Sequence, residues 1–153
     1  MNRPAFEPTL KGRALRLLSQ REHSRLELER KLAAHETEPG QLAKALDELQ
    51  ARGFISEERV VESVVHRRAA RLGTARVKQE LQAKGLSGEA VNEALEQLRS
   101  TELDRAREVW SRKFGVPATD PKEKARQIRF LVSRGFAAEV VRRVVQGADD
   151  EPS

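Results

Sequence analysis

Apolar residues recur along the chain at spacings of three and four, which is the period of one helix face. In QLAKALDEL, for example, Leu42, Leu46 and Leu49 fall on one side of a helix. Such short stripes, separated by glycines and polar turns, predict an all-α chain of about nine helices. The predicted helices cover residues 9–20, 24–35, 39–52, 56–71, 74–84, 87–99, 101–114, 121–134 and 136–146.

The stripes repeat at a nearly constant interval. A shift of 49 residues carries Leu46 onto Leu95, and a further shift of 50 carries Leu95 onto Val145. The register is less regular at one place, where Val77 falls on Gln127, and this predicts a local slip in the third copy. A single three-helix unit buries little surface, whereas stacked units share a core. The sequence therefore predicts an elongated, curved array of three tandem three-helix repeats.

The repeats define the expected boundaries. Residues 1–9 form an N-terminal arm, residues 147–153 an acidic C-terminal tail, and the repeats lie between them. We expect the first, second and third repeats at residues 10–55, 56–100 and 101–146.

Glycines predict where several helices end. Gly53, Gly85, Gly115 and Gly135 each follow a helical stripe and precede an apolar residue. A glycine after the last helical turn adopts the left-handed conformation without the steric penalty of a Cβ atom. We therefore expect positive φ at these four glycines.

Helix starts carry complementary signals. Ser24 with Glu27 matches a capping box, and Asp120 followed by Pro121 predicts an N-cap with proline in the first turn. We expect three further helices to begin at Ser56, Ser87 and Thr101.

Composition limits the function. The chain has 153 residues, and only 4% of them are aromatic, so a thick core is not expected. The chain has no cysteine, which excludes disulfides and thiolate chemistry. No apolar run approaches the length of a membrane span. We expect a cytoplasmic protein that does not enter a membrane.

No catalytic constellation emerges from the spacing. His23, His35 and His66 are scattered, which predicts solvated or partly packed side chains rather than a metal site. Carboxylates sit beside cations on helix faces, as Glu27 does with Lys31, and no phosphate-binding glycine loop or nucleophile motif occurs. We expect no enzyme, no cofactor and no metal. Trp110 shares a helix stripe with Phe114 and is expected in the core.

Positive charge is concentrated in two segments. The net charge is +5, and residues 66–79 hold five Lys and Arg residues without an acid, while residues 122–134 hold five against one acid. Both segments include the middle helix of a repeat, so their charges are expected along one side of the array. Such a stripe suits phosphates or an acidic protein groove, although any single residue equally suits solvated surface.

Four ordered segments resemble the motifs of the RecX family of regulatory proteins. They are SRLELERKLAAH, ARGFISEERVVESVVHRRA, RLGTARVKQELQAKGL and QIRFLVSRGFAAEVVRRVV. The resemblance covers about residues 10–146. One departure lies at Val60 and Val61, where many relatives carry an aromatic residue and alanine.

The resemblance implies three tandem three-helix repeats in a cytoplasmic, non-enzymatic bacterial modulator of the RecA recombinase. It implies binding in the groove of the RecA–DNA filament, possible direct contact with DNA, and inhibition of ATP hydrolysis, strand exchange and co-protease activity in homologous recombination, DNA repair and the SOS response. We expect a monomer. The expected contact residues are Arg67, Arg68, Arg71, Arg76, Lys78, Lys84, Arg126, Arg129 and Arg134.

Two other functions are considered. The segment TARVKQELQAKGLSGEAVNEAL resembles a helix-turn-helix, which predicts a dimer on a duplex site. Its presumed recognition helix carries Glu89, Glu93 and Glu96, which would face the phosphates. A hydrolase or nuclease would need acids or histidines clustered around a metal, and the spacing provides no such cluster.

Overall fold

The computed structural model describes residues 7–147, and within this range every regular element is helical. The predicted arm at 1–9 and tail at 147–153 include residues 1–6 and 148–153, which lie outside the described range. The helices are α1 (Leu10–Gln20), α2 (Arg25–Leu32), α3 (Gln41–Ala51), α4 (Glu57–Arg68), α5 (Thr74–Ala83), α6 (Glu89–Ser100), α7 (Glu102–Lys113), α8 (Pro121–Ser133) and α9 (Ala138–Gly147), and a short 3₁₀ turn (Ala33–His35) follows α2.

This element order confirms the predicted all-α class of about nine helices in the part of the chain that the structure describes. The residues divide into two compact units. The first unit comprises the described residues up to Val60 together with Lys84–Leu86, and the second comprises Val61–Ala83 and the described residues from Ser87 onward. The boundaries proposed for the three repeats stay a prediction. No helix among residues 7–147 is long and apolar enough to cross a membrane.

The predicted helix stops are confirmed. Gly53, Gly85, Gly115 and Gly135 have φ values of 82°, 75°, 70° and 91°. At Gly135 a side chain is excluded by space as well, because an added Cβ would collide with the stem of Arg76. This close approach fixes the C-terminal end of α8 against the first turn of α5.

The helix starts follow the sequence signals less uniformly. The capping box of Ser24 and Glu27 is present, and Asp120 accepts a hydrogen bond from the Glu123 amide at 2.7 Å. The prediction at Ser87 is wrong, because α6 begins at Glu89 with Gly88 as its N-cap. Thr101 precedes α7, but no side-chain capping bond forms there.

The apolar stripes pack as predicted, and each unit has its own core. In the first unit the core contains Leu10, Ala14, Leu28, Leu32, Leu42, Leu46, Leu49 and Ile55. In the second unit one cluster contains Ala106, Val109, Trp110, Leu131, Phe136, Val141, Val144 and Val145.

A buried tryptophan–glutamine pair explains the irregular register of the third copy. Trp110 lies in the core as predicted, and its Nε1 donates a hydrogen bond to Oε1 of Gln127 at 2.9 Å. Gln127 is only 1% exposed, and its Nε2 donates to the Val116 carbonyl at 3.1 Å. The predicted slip is therefore wrong: a polar residue occupies the repeat's apolar position because it satisfies the indole.

A single buried carboxylate joins two helix starts in the second unit. Glu102, at the start of α7, accepts hydrogen bonds from the backbone amides of Thr74 at 2.7 Å and Ala137 at 2.9 Å. These amides open α5 and α9, where the helix dipoles favour negative charge. Burial alone would raise the pKa of Glu102, but the hydrogen bonds and the charge of Arg105 outweigh it and hold that pKa below its usual value.

Arg105, one turn further along α7, binds carbonyl groups at the C-terminal ends of two other helices. Its guanidinium donates hydrogen bonds to the carbonyls of Ala69 at 2.9 Å, Leu72 at 2.6 Å and Leu98 at 2.8 Å. These carbonyls follow or end α4 and α6. Arg112 on the same helix donates to the Ala70 carbonyl at 2.9 Å. The predicted end of α4 at residue 71 is wrong, since α4 stops at Arg68 and the following carbonyls bond to α7 instead.

A second buried charge cluster lies in the first unit. Glu27 forms ion pairs with Arg21 at 2.7 Å and Lys84 at 3.2 Å, and it accepts from the Ser24 amide at 3.0 Å. The predicted pair with Lys31 is wrong. Burial opposes ionisation, but the bonds from Arg21, Ser24 and Lys84 prevail and lower the pKa of Glu27 to about 2.

The neighbouring histidine is buried rather than solvated. His23 is 1% exposed, and its Nδ1 donates a hydrogen bond to the Arg21 carbonyl at 3.0 Å. Its Nε2 therefore accepts from Nζ of Lys31, 3.1 Å away. Burial lowers the pKa of His23, and the nearby cations Arg21 and Lys31 lower it further. The ring is neutral, and it positions Lys31.

We predict that Glu102→Gln destabilises the second unit by about 3 kcal/mol, because it leaves Arg105 buried without a counter-charge and places an amide group against a backbone N–H. Urea unfolding measures this loss. The matched control is Asp104→Asn on the same helix, whose carboxylate is 85% exposed and which should change stability by less than about 0.5 kcal/mol. Equal unfolding midpoints for the two variants would contradict the assigned role.

We predict that the contribution of Glu27 depends on pH. Its folded pKa, about 2, lies below the ordinary value of 4.5, so its stabilisation is complete above pH 4.5 and disappears as the pH falls towards 2. Glu27→Gln should lose about 3 kcal/mol at pH 7 and less than about 0.5 kcal/mol at pH 2, where the carboxyl group is half protonated in the folded protein. Urea unfolding across this range tests the prediction. Glu29→Gln, with a more exposed side chain on the same helix, should show little difference at either pH.

Candidate anion-binding cleft

Four of the predicted contact residues line one cleft in the second unit. They are Arg68, Arg71, Arg76 and Arg134, which lie up to 66 residues apart in sequence. The cleft has a volume of about 470 Å³, and Leu72, Gln79 and Glu80 complete its lining. The fold therefore brings together cations from both of the basic segments.

Helix ends position these arginines. Arg68 ends α4, Arg71 lies in the following turn, Arg76 is in the first turn of α5, and Arg134 is the C-cap of α8. The Gly73 amide donates a hydrogen bond to the Arg134 carbonyl at 2.8 Å, which joins the two loops directly. An added Cβ at Gly73 would collide with the backbone of Gly135. Two glycines are therefore required for the loops to meet and form the cleft.

Three of the four guanidinium groups are held in place by neighbours. Nε of Arg68 donates to Oε1 of Glu80 at 2.9 Å, and a terminal nitrogen of Arg76 donates to the Ser133 carbonyl at 2.7 Å. Arg134 lies over the ring of Phe130, 4.8 Å from its centroid. The Arg71 side chain is exposed and has no hydrogen bond or ion pair among residues 7–147.

The charge of the cleft is strongly positive. Four guanidinium groups face one carboxylate, that of Glu80, which is shared between Arg68 and Arg67. Guanidinium groups bind phosphate and carboxylate oxygens through pairs of parallel hydrogen bonds. Such groups make up most of the polar lining of the cleft, which suits it to an anion. Among the described residues 7–147, no group of three or more acids or histidines is arranged to hold a metal ion.

An aromatic pair that was not predicted from the sequence supports the cleft through Arg134. Phe114 and Phe130 pack edge to face with centroids 5.5 Å apart. Lys113 lies 5.2 Å from the Phe130 centroid, and Arg126 lies 5.4 Å from that of Phe114. Lys113 and Arg126 are far in sequence from the rings that they contact, so the available signal was only Arg134, four residues after Phe130, because cations favour aromatic faces.

The other predicted contact residues lie elsewhere. Arg67 is exposed and pairs with Glu80 at 3.7 Å, and Arg126 pairs with Glu123 at 3.0 Å. Arg129 is exposed, and Lys78 lines a separate cleft beside Arg99. Lys84 belongs to the first unit, where its side chain is 14% exposed and bound to Glu27. Their role in binding stays a prediction.

The structure gives no support to the alternative of a helix-turn-helix regulator. In α6, the presumed recognition helix, Glu89, Glu93 and Glu96 are all exposed. These carboxylates would repel the phosphates that flank a DNA groove.

Comparison with known families and proteins places the chain. Three models of the RecX family match it in order: the first three-helix domain at residues 11–49, the second at 56–95 and the third at 100–145. Regulatory protein RecX of Leptothrix cholodnii is 57% identical over 150 residues, which cover 98% of this chain and 94% of that protein. Regulatory protein RecX of Ralstonia nicotianae is 49% identical, with 94% of each chain covered.

Solved structures agree in fold. A crystal structure of RecX from Lactobacillus salivarius aligns with a TM-score of 0.74 at 18% identity and covers 92% of this chain and 94% of that one. A second crystal structure of a regulatory protein RecX aligns with a TM-score of 0.73 at 20% identity, covering 90% and 71%. The three family domains follow α1–α3, α4–α6 and α7–α9, and the high identity to named relatives extends over nearly the whole chain. The chain therefore belongs to the RecX family of regulatory proteins.

Proposed function

We propose that this protein is a non-enzymatic regulator that binds RecA and RecA–DNA filaments and inhibits their ATP hydrolysis, strand exchange and co-protease activity. Membership of the RecX family supports RecA as the partner. The cleft of four guanidinium groups in the second unit is the observation that supports this location for the contact site. A filament presents the matching chemistry, since it combines DNA phosphates with acidic protein side chains.

Preorganisation favours anion binding in this cleft. The partners of Arg68, Arg76 and Arg134 restrict their rotamers, so less side-chain entropy is lost when an anion arrives. Arg71, which has no such partner among the described residues, is the most available donor. The ion pair of Glu80 with Arg68 leaves the other three arginines unneutralised by any residue that lines the cleft.

The surrounding surface extends the contact. Arg67, Lys78, Arg126 and Arg129 lie in the same unit and are exposed, so each is able to add a weak phosphate or carboxylate contact. Lys84 contributes differently, since its ammonium already neutralises Glu27. We further propose that the protein acts as a cytoplasmic monomer without a cofactor.

We predict that reversing Arg71 and Arg134 to Glu strongly weakens inhibition of RecA-catalysed, DNA-dependent ATP hydrolysis. Both side chains are exposed, and neither forms an ion pair among residues 7–147, so the change reverses charge in the cleft without exposing a buried partner. ATP hydrolysis is measured at substoichiometric amounts of the regulator, with circular dichroism to confirm helicity. At least a tenfold loss of inhibitory potency is expected, equivalent to about 1.4 kcal/mol.

The matched control is the reversal of Arg142 and Arg143 to Glu. These residues are exposed on α9 and line none of the clefts described here, and their reversal changes the net charge by the same amount. The control should inhibit as the unmodified protein does. Equal inhibition by both variants would reject the cleft as the contact site. Failure of the unmodified protein to affect RecA, with specific binding to one duplex site, would instead support a helix-turn-helix regulator.

A further inference from the structure

We infer that the first unit carries a second docking groove, between α1 and α2, for an acidic segment of a partner protein that presents an apolar side chain among its carboxylates. The groove lies in a different unit from the arginine cleft and differs from it in chemistry. It has a volume of about 510 Å³. The residues that decide its specificity are Gly12, Arg13, Arg16, Leu17, Lys31 and Leu32.

The floor of the groove is apolar. Leu32 is buried in the core of the first unit, and Leu17 is a partly buried residue packed against that core. Gly12 lies in the first turn of α1 and places no side chain over the groove. An added Cβ there would meet only Oγ1 of Thr9, at 3.2 Å. Space alone does not demand glycine at this position, but glycine leaves the backbone of α1 open to an incoming chain.

The rim of the groove is positive and lacks any acid. Arg13 and Arg16 lie on α1 and Lys31 lies on α2. Neither Arg13 nor Arg16 forms an ion pair within residues 7–147, and Lys31 contacts the neutral ring of His23. Three cations therefore surround apolar surface, and carboxylates on a partner would neutralise their charges.

This combination favours a protein segment over nucleic acid. A sugar–phosphate backbone has little apolar surface to bury against Leu17, and apart from the imidazole of His35 no aromatic ring lines the groove to stack on a base. An amphipathic segment buries its apolar residue in such a groove and places its charges at the rim. Because the rim is positively charged, the segment that binds in the groove is acidic.

The inference is tested with a designed probe. A fluorescein-labelled helical peptide of about fourteen residues carries Leu on one face and Glu on the other, and two matched peptides replace either Glu by Lys or Leu by Ser. Fluorescence anisotropy should show binding of the acidic amphipathic peptide alone. The double variant Arg13→Gln, Arg16→Gln should weaken this binding about tenfold, whereas Arg142→Gln, Arg143→Gln should leave it unchanged.

A second variant tests the floor without changing charge. Gly12→Leu fills the groove, and it should weaken the same peptide about tenfold while circular dichroism shows undiminished helicity. Unweakened binding to either groove variant would overturn the inference, and so would equal binding of the Lys peptide. Binding of a labelled oligonucleotide that requires Arg13 and Arg16 would show instead that the groove binds nucleic acid. A dimer of the unmodified protein that the same variant loses would show instead that the groove binds a second copy of the chain. RecA is absent from these measurements, so their outcome is independent of the proposed function.

Discussion

The structure of the second unit depends on one charge pair on α7. Glu102 accepts the first amides of α5 and α9, and Arg105 binds carbonyls at the ends of α4 and α6. Each charge meets the helix ends whose dipoles attract it, so two side chains one turn apart satisfy backbone groups from four helices. Removing water from these charges is costly, and the cost is offset because each charge forms several hydrogen bonds to backbone groups, at 2.6–2.9 Å.

The geometry of the arginine cleft depends on the pair of Glu102 and Arg105. Glu102 fixes the start of α5 and therefore the position of Arg76, while Arg105 holds the turn that carries Arg71. Contact between Gly73 and the loop after α8 brings Arg134 to the same place. Arginine thus has two roles in one unit: buried guanidinium groups hold the loops, and exposed ones line the surface that those loops create.

The two positively charged surfaces differ in what surrounds the charge. In the second unit, guanidinium groups line a polar cleft and are oriented by their neighbours. In the first unit, cations surround apolar surface at α1 and α2. A phosphate needs only the oriented guanidinium groups of the polar cleft. A folded acidic segment binds better in the apolar groove, because burial of its apolar side chain adds to charge pairing. Net charge alone does not distinguish these cases.

Local rules made several features predictable from neighbouring residues or ordered motifs: helical periodicity, glycine stops such as Gly135, the capping box at Ser24, the buried Trp110 and the family. Tertiary structure alone decided which charged and polar groups became structural. In sequence Arg105 resembles Arg107, and Glu27 is closer to Arg25 and Lys31 than to Lys84, with which it pairs. Some of their partners, such as Lys84 for Glu27 and Leu72 for Arg105, lie on elements distant along the chain, and long side chains reach many such groups, so spacing cannot select among them. Only packing of the helices determines which charges are buried and bound and which, like that of Arg71, stay available.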